Sequence, residues 1–204
     1  MSETVAGGVL VVVEGVDGAG KSTVLRRLVE FCEARHLRCV LSREPTDGPW
    51  GKRIRGTAET GRLPLAEELE LFIRDRKEHV ESLILPEMAR GAVVLLDRYY
   101  FSTAAYQGAR GANPEEVLAA NEQFAPEPDL VLLLDCAPEV TLERIRKRGS
   151  VPDEFERQEA LEAVRRIFLS IKRPFIRVVD ASAVAETVAE KCESLLEEIL
   201  IGKA

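Results

Sequence analysis

The run Gly15-Val16-Asp17-Gly18-Ala19-Gly20-Lys21-Ser22, followed by Thr23, places glycines, a lysine and a hydroxyl at the spacing of a polyphosphate cradle. Glycines let the backbone curl until successive N–H groups point inward at phosphate oxygens. A helix starting at Lys21 adds the partial positive charge of its N-terminus. In such a loop Lys21 reaches the β- and γ-phosphates of a nucleoside triphosphate, and the Ser22 hydroxyl joins a magnesium shell. Asp17 is repelled by phosphate unless its carboxylate binds metal, holds an arginine or accepts from a substrate hydroxyl. The loop points to a triphosphate donor and is silent on the acceptor.

A second chemical cluster closes the apolar run Val93-Val94-Leu95-Leu96, which ends on Asp97-Arg98-Tyr99. A carboxylate there suits holding Mg²⁺ through water. Arg98 beside it suits bridging a donor and an acceptor phosphate while neutralising the charge between them. No DxxG follows a metal-binding strand and no NKxD-like guanine reader is present, which excludes the GTPases and leaves kinases and ATPases.

A third signal is a charge in an apolar stripe. A helix over Leu65–Arg90 would carry Leu69, Phe72, Ile73, Val80, Leu83 and Ile84 on one side, and the period places Arg76 there too. One turn separates Phe72 from Arg76, so a ring and a planar donor fork stand together, as a nucleobase would need. Alternatively, Arg76 pairs with Asp75, Glu87 or another nearby acid.

The elements that must position these groups alternate along the chain. Strands are expected at Val9–Glu14, Arg38–Ser42, Ala92–Asp97, Leu130–Asp135 and Phe175–Asp180. Helices are expected at Lys21–Arg35, Leu65–Arg90, Pro114–Phe124, Pro138–Arg148, Glu156–Ile171 and Val184–Ile201. Strands separated by helices imply one α/β domain over residues 1–204, with a mainly parallel five-stranded sheet covered on both faces. In such sheets ligands bind at the carboxyl ends of the strands, where both charged clusters fall.

Bulk properties narrow the partners. A net charge of -7 argues against a general nucleic-acid binder. Cys32, Cys39, Cys136 and Cys192 match no zinc spacing and read as free thiols of a reducing compartment. The apolar run Val9–Val13 is too short for a signal-peptide core or a membrane span, so a cytoplasmic protein without membrane attachment is expected.

Taken together, the motifs resemble those of the thymidylate kinase family. Glu14 through Thr23 looks like its P-loop, Arg43-Glu44-Pro45-Thr46 like its REP segment, and Leu71-Phe72-Ile73-Arg74-Asp75-Arg76 like its LFxADR segment. Asp97 through Gly108 resembles the DRYxxSxxAYQG signature, and Pro128 through Val140 the PDLxxxLDxxPE segment. The likeness runs from about residue 8 to residue 180. It implies the P-loop fold of nucleoside monophosphate kinases, transfer from ATP to dTMP with Mg²⁺, and a homodimer. On the matching positions it implies that Gly15–Thr23 hold ATP, with Ser22 and Asp97 toward the metal. It further implies that Phe72 stacks on thymine, Arg76 bonds the base, Arg98 holds the acceptor phosphate, and Asp17 sits by sugar and metal. Tyr106 would pack on the deoxyribose, Gln107 would lie near the base, and Glu44, Ser102 and Thr103 complete the acceptor set. Pro45 would carry a bend around the acceptor phosphate, where a cis bond is an option open to proline.

Two departures stand out. Some members carry an arginine within the P-loop where this chain has Gly18, and such members usually compensate in a mobile lid. The cations Arg144, Arg146, Lys147 and Arg148 before Gly149 lie in the corresponding region, about 144–157. Arg148, nearest the glycine, is the expected γ-phosphate ligand, with Arg144 on the same helix face also toward ATP. Rival readings are a kinase of another deoxynucleotide or of a deoxynucleoside, and an ATP-sensing regulatory module.

Overall fold

The computed structural model of the protein describes residues 4–60, 63–147 and 154–203. Five strands, β1 (Val9–Glu14), β2 (Cys39–Arg43), β3 (Val93–Asp97), β4 (Leu130–Asp135) and β5 (Ile176–Asp180), form one sheet in the order β2-β3-β1-β4-β5. Every pairing is parallel, so all carboxyl ends emerge along one rim. The residues of β1 are all buried, and β3 and β4 are buried up to their terminal aspartates, so helices cover both faces of the central strands. This is the α/β architecture expected.

The helices are α1 (Lys21–Ala34), α2 (Pro49–Thr60), α3 (Leu65–His79), α4 (Leu85–Ala89), α5 (Tyr100–Gly108), α6 (Pro114–Glu122), α7 (Pro138–Arg146), α8 (Glu154–Ser170) and α9 (Ala185–Lys203). Prolines occupy the first turns of α6 and α7, and the Asn113 side chain accepts from the Glu115 amide to cap α6. None of these helices is long and apolar enough to cross a membrane, among the described residues. The four cysteines are free thiols, all buried except half-buried Cys39.

Three local outcomes differ from expectation. The single helix expected over 65–90 is instead α3 and α4 joined through a π-helical turn, Val80–Ile84, in which the Leu85 amide reaches back to the Val80 carbonyl. Pro86 has no N–H for a regular helical bond, and widening the preceding turn accommodates that loss. Helix α2 was not anticipated. Its Gly51 is required by contact, because a Cβ there would lie 2.0 Å from the Thr46 carbonyl oxygen. Helix α5 was not anticipated either. Its first turn is capped from afar by Glu14 at the end of β1, whose carboxylate accepts from the amides of Tyr99 (2.8 Å) and Ser102 (3.0 Å).

Candidate active site

Three clefts meet along the carboxyl rim of the sheet. The middle one is narrow, about 180 Å³, and holds Lys21, Ser22, Asp97 and Arg98. It shares Gly18 and Gly20 with a cleft of about 300 Å³ on one side, and Asp17, Glu44 and Arg98 with a cleft of about 260 Å³ on the other.

The middle cleft is the phosphate-binding loop and the ends of β1 and β3. Gly20 is the N-cap of α1 and brings no side chain to its first-turn amides; the Thr23 amide donates to the Gly20 carbonyl at 3.0 Å, and the amides of Lys21 and Ser22 suit an anion. Gly18 has φ +84°, and a Cβ there would lie 2.8 Å from the Thr141 carbonyl oxygen of α7. The loop abuts α7 so closely that any side chain at this position would press on the backbone of that helix. The Lys21 ammonium donates to the carbonyls of Gly15 (3.0 Å) and Val16 (3.1 Å). Burial, aided by the charge of Arg98, pushes its pKa down to about 8.

Asp97 ends β3 with its Oδ1 buried and without a hydrogen-bond partner among the described residues. The Ser22 hydroxyl lines the same cleft. No group of three or more acidic, His or Cys side chains able to hold a metal occurs among the described residues. A lone carboxylate oxygen and a hydroxyl beside a phosphate cradle fit Mg²⁺, which keeps several waters and takes its other oxygens from substrate phosphates.

Arg98 links this cleft to the next. It adopts the left-handed conformation, φ 72°, which costs on the order of 1 kcal/mol or more for a non-glycine residue. Its guanidinium donates to Asp17 Oδ1 (2.7 Å), Ser102 Oγ (2.9 Å), the Gly15 carbonyl (3.2 Å) and Tyr106 Oη (3.3 Å). Burial alone would lower its pKa, but Tyr106, Asp17, Glu14 and Asp97 together raise it, so the cation is secure. Ser102 in turn donates to Glu14 Oε2 at 2.5 Å, so its hydroxyl supports Arg98 more than it offers a free donor.

The larger cleft on this side is lined by every residue expected around the acceptor: Glu44, Pro45, Phe72, Arg76, Arg98, Ser102, Thr103, Tyr106 and Gln107. The bond before Pro45 is cis. Arg76 is 1% exposed and pairs with neither Asp75 nor Glu87. Asp75 accepts from the Thr46 amide and hydroxyl, while Glu87 is held by Arg38 and Arg90. The acid opposite Arg76 is Glu44 from the end of β2, with Nε at 2.8 Å and Nη2 at 2.7 Å from the same Oε2. Sequence reasoning missed Ile54 and Thr57, which α2 brings to this cleft, and Tyr99 and Glu68. It also missed Asn121, whose Oδ1 accepts from Arg76 Nη1 at 2.5 Å. Trp50 does not line this cleft; it lies under Arg74, 5.0 Å from ring centroid to guanidinium carbon.

The cleft on the far side is bounded by Gly18, Thr23, Val24, Arg144 and Lys147, and by Ala181, Ala183, Ala185 and Val188 after β5. Only the loop residues and Arg144 were anticipated there. The signal for the rest was the run of small residues following a strand's carboxyl end. Arg148 lies outside the described residues, as does Gly149.

A family model described as thymidylate kinase matches residues 13–192. A thymidylate kinase of Xanthomonas campestris pv. campestris (strain B100) is 50% identical over 201 residues, 98% of this chain and 88% of that protein. One from Xanthomonas oryzae pv. oryzae (strain PXO99A) is 52% identical over 197 residues, 97% of this chain and 86% of that protein. A third, from Xylella fastidiosa (strain M12), is 50% identical over 193 residues, covering 95% and 88%.

Proposed function

This chain belongs to the thymidylate kinase family, and on that premise we propose that it transfers the γ-phosphoryl group of ATP to dTMP, giving dTDP and ADP. The observation that carries the reading is the narrow polar cavity with Lys21, Asp97 and Arg98, open to one larger cleft on each side. A two-substrate phosphotransferase needs that layout, with donor and acceptor meeting in line between two nucleoside sites.

In this reading the adenosine of ATP occupies the cleft beside Arg144 and Ala181, and its phosphates lie on the amides of Gly15–Thr23. dTMP occupies the cleft of Phe72 and Arg76, with its ring on Phe72 and its deoxyribose against Tyr106. Gln107 lies near the base, and Glu44, Pro45, Ser102 and Thr103 shape the wall. A 5′-monophosphate oxygen attacks the γ-phosphorus while the bond to the β-phosphate oxygen breaks. The acceptor phosphate is already anionic near neutral pH, so no strong base is needed. Arg98 trades its contacts with Asp17 and the Gly15 carbonyl for the two phosphates it bridges, and Asp17 turns to the sugar or the metal shell. Lys21 leaves its two carbonyls for the β- and γ-phosphates. Ser22 and Asp97 are the residues that would hold Mg²⁺, which would supply charge neutralisation across the donor phosphates. The segment about 144–157 acts as the lid, with Arg148 completing the charge around the γ-phosphate and water excluded on closure. The family resemblance also supports a homodimer working in the cytoplasm, which sedimentation and fractionation check.

A coupled assay of ADP release with dTMP, dUMP, dGMP, dCMP and thymidine tests the reading. dTMP should be the fastest acceptor. Phosphorylation of thymidine without dTMP turnover would make the protein a nucleoside kinase, and ADP release indifferent to every acceptor would make it a regulatory ATP-binding module.

A further inference from the structure

Behind the acceptor cleft runs a largely buried polar chain whose outer members, Ser42 and His79, none of the steps above uses. Ser42 Oγ lies 2.8 Å from His79 Nε2, and His79 Nδ1 lies 3.0 Å from Glu44 Oε1. Glu44 Oε2 then accepts from Arg76 Nε at 2.8 Å, with Nη2 in ion-pair contact at 2.7 Å. His79 and Glu44 are each at least nine-tenths buried, and His79 itself does not line the cleft. A carboxylate only accepts, so Nδ1 carries a proton and donates to Glu44, whichever role Nε2 takes toward the Ser42 hydroxyl.

This geometry is unusual for an arginine–carboxylate pair. The favoured arrangement is a fork onto a fork, with one guanidinium N–H on each carboxylate oxygen. Here Nε donates to one oxygen and Nη2 approaches the same one in an ion-pair contact, while His79 occupies the other. The remaining Arg76 donors are nearly all committed as well, Nη2 to Thr103 at 3.1 Å and Nη1 to Asn121 at 2.5 Å. Of the five guanidinium hydrogens, three donate in hydrogen bonds, the second on Nη2 meets Glu44 only in an ion-pair contact, and the second on Nη1 has no partner among the described residues.

We infer that His79 is a positioning residue for acceptor-base selectivity: by holding Glu44 Oε1 it fixes the Arg76 fork so that one donor remains for a base carbonyl. Freed of His79, the Glu44 carboxylate turns to accept from Arg76 through both oxygens, and the guanidinium follows it. The uncommitted N–H then no longer meets the carbonyl at position 4 of thymine. Cytosine carries an amino donor there in place of the acceptor, so a correctly aimed Arg76 discriminates between the two and a turned one does not. Ser42, near the end of β2 and two residues before Glu44, keeps the imidazole plane from swinging away. The inference rests on the acceptor reading given above.

The test compares wild type with His79→Leu, His79→Asn, His79→Gln and Ser42→Ala for kcat and KM with dTMP and dCMP, KM for ATP, and the urea midpoint. Loss of one charge-assisted bond predicts that His79→Leu raises the dTMP KM about tenfold and lowers the dTMP:dCMP ratio of kcat/KM about as much. The kcat at saturation and the KM for ATP should stay within about twofold, since His79 touches neither phosphate group nor donor cleft. Asparagine keeps a donor two bonds beyond Cβ, where Nδ1 stands, and should restore most of the ratio. Glutamine reaches toward Ser42 but lacks that donor, so it should behave as leucine does, and it replaces leucine if that variant fails to fold. Ser42→Ala should show a smaller shift in the same direction. Equal ratios in wild type, leucine and glutamine variants overturn the inference, as does a fall in kcat with the ratio unmoved. Absence of dTMP-dependent ADP release in wild type would instead refute the acceptor reading itself.

Discussion

Arg98 and Arg76 line the same cleft yet are held in opposite ways. Arg98 stands on strained backbone and spreads its donors over Asp17, a hydroxyl, a phenol and a carbonyl, and Asp17 is 57% exposed on a loop. Arg76 sits on a regular helix turn, and its partner Glu44 is a buried carboxylate pinned on its far side by His79. The difference matches the roles proposed for each. A cation that must receive phosphate needs partners it can release without leaving a charge stranded. A cation that reads a base through one N–H needs partners it cannot release. Buried ion pairs are poor evidence of stability in themselves, since desolvation offsets much of their attraction. In the acceptor reading proposed above, their rigidity is what base recognition would use.

The largest effect expected from this contrast is on folding. Arg76→Leu strands the buried Glu44 carboxylate, which should lower unfolding free energy by about 3–5 kcal/mol in urea titrations. Adding Glu44→Gln to Arg76→Leu removes the stranded charge and should recover most of that loss, while the KM for dTMP stays raised. A double variant no more stable than the single one would mean that Arg76 contributes by packing and not by charge. Arg98→Ala should do the reverse. Its kcat should fall on the order of 10²–10³-fold, with the ATP dissociation constant nearly unchanged and a smaller shift in urea midpoint than Arg76→Leu. An unchanged kcat in that variant would remove Arg98 from the phosphate-bridging role.

The same contrast explains what could be read from residues alone. The phosphate cradle is a local object: eight consecutive residues set its curl, and the strand before it and helix after it follow from adjacent patterns. The base site is assembled from distant pieces, and its chemistry inverts the usual patterning. On α3 the fully buried side chains include Glu68, Asp75, Arg76 and His79, while Leu69, Phe72 and Ile73 are only half-buried. Reading apolar residues as inward singled out Arg76, which α3 buries beside the cleft, but it could not find Glu44 across the sheet rim as its partner or His79 behind it. Helix α5 escaped notice for a related reason. Tyr100 through Ala105 are all buried, so no amphipathic stripe marks them, and the cap that starts the helix comes from Glu14 in β1. Helix α2 has two glycines and an inner face built on Ile54 and Thr57, too slight a period to stand out.

Lys21 offers the finest test of the rule that cations awaiting phosphate are kept free of rigid carboxylates. It is 8% exposed, its only hydrogen-bond partners among the described residues are two carbonyls, and its pKa is pushed from 10.5 down to about 8. Between those two values the folded free protein binds fewer protons at Lys21 than the unfolded chain does. Rising pH through that window therefore stabilises the fold at this position, because the buried charge is relieved. Phosphates bring the opposite pressure and restore the proton. ATP binding should then take up roughly half a proton at pH 8, nearing a full proton at about pH 9 and little at about pH 7. Calorimetry in buffers of different ionisation enthalpy measures that uptake directly, above the range in which ATP itself titrates. Lys21→Arg, whose charge does not titrate there, should abolish the pH-dependent part. Uptake that is flat from pH 7.5 to 9 in the wild type would mean that Lys21 is fully charged before ATP arrives, and the donor side would then owe its readiness to the loop amides alone.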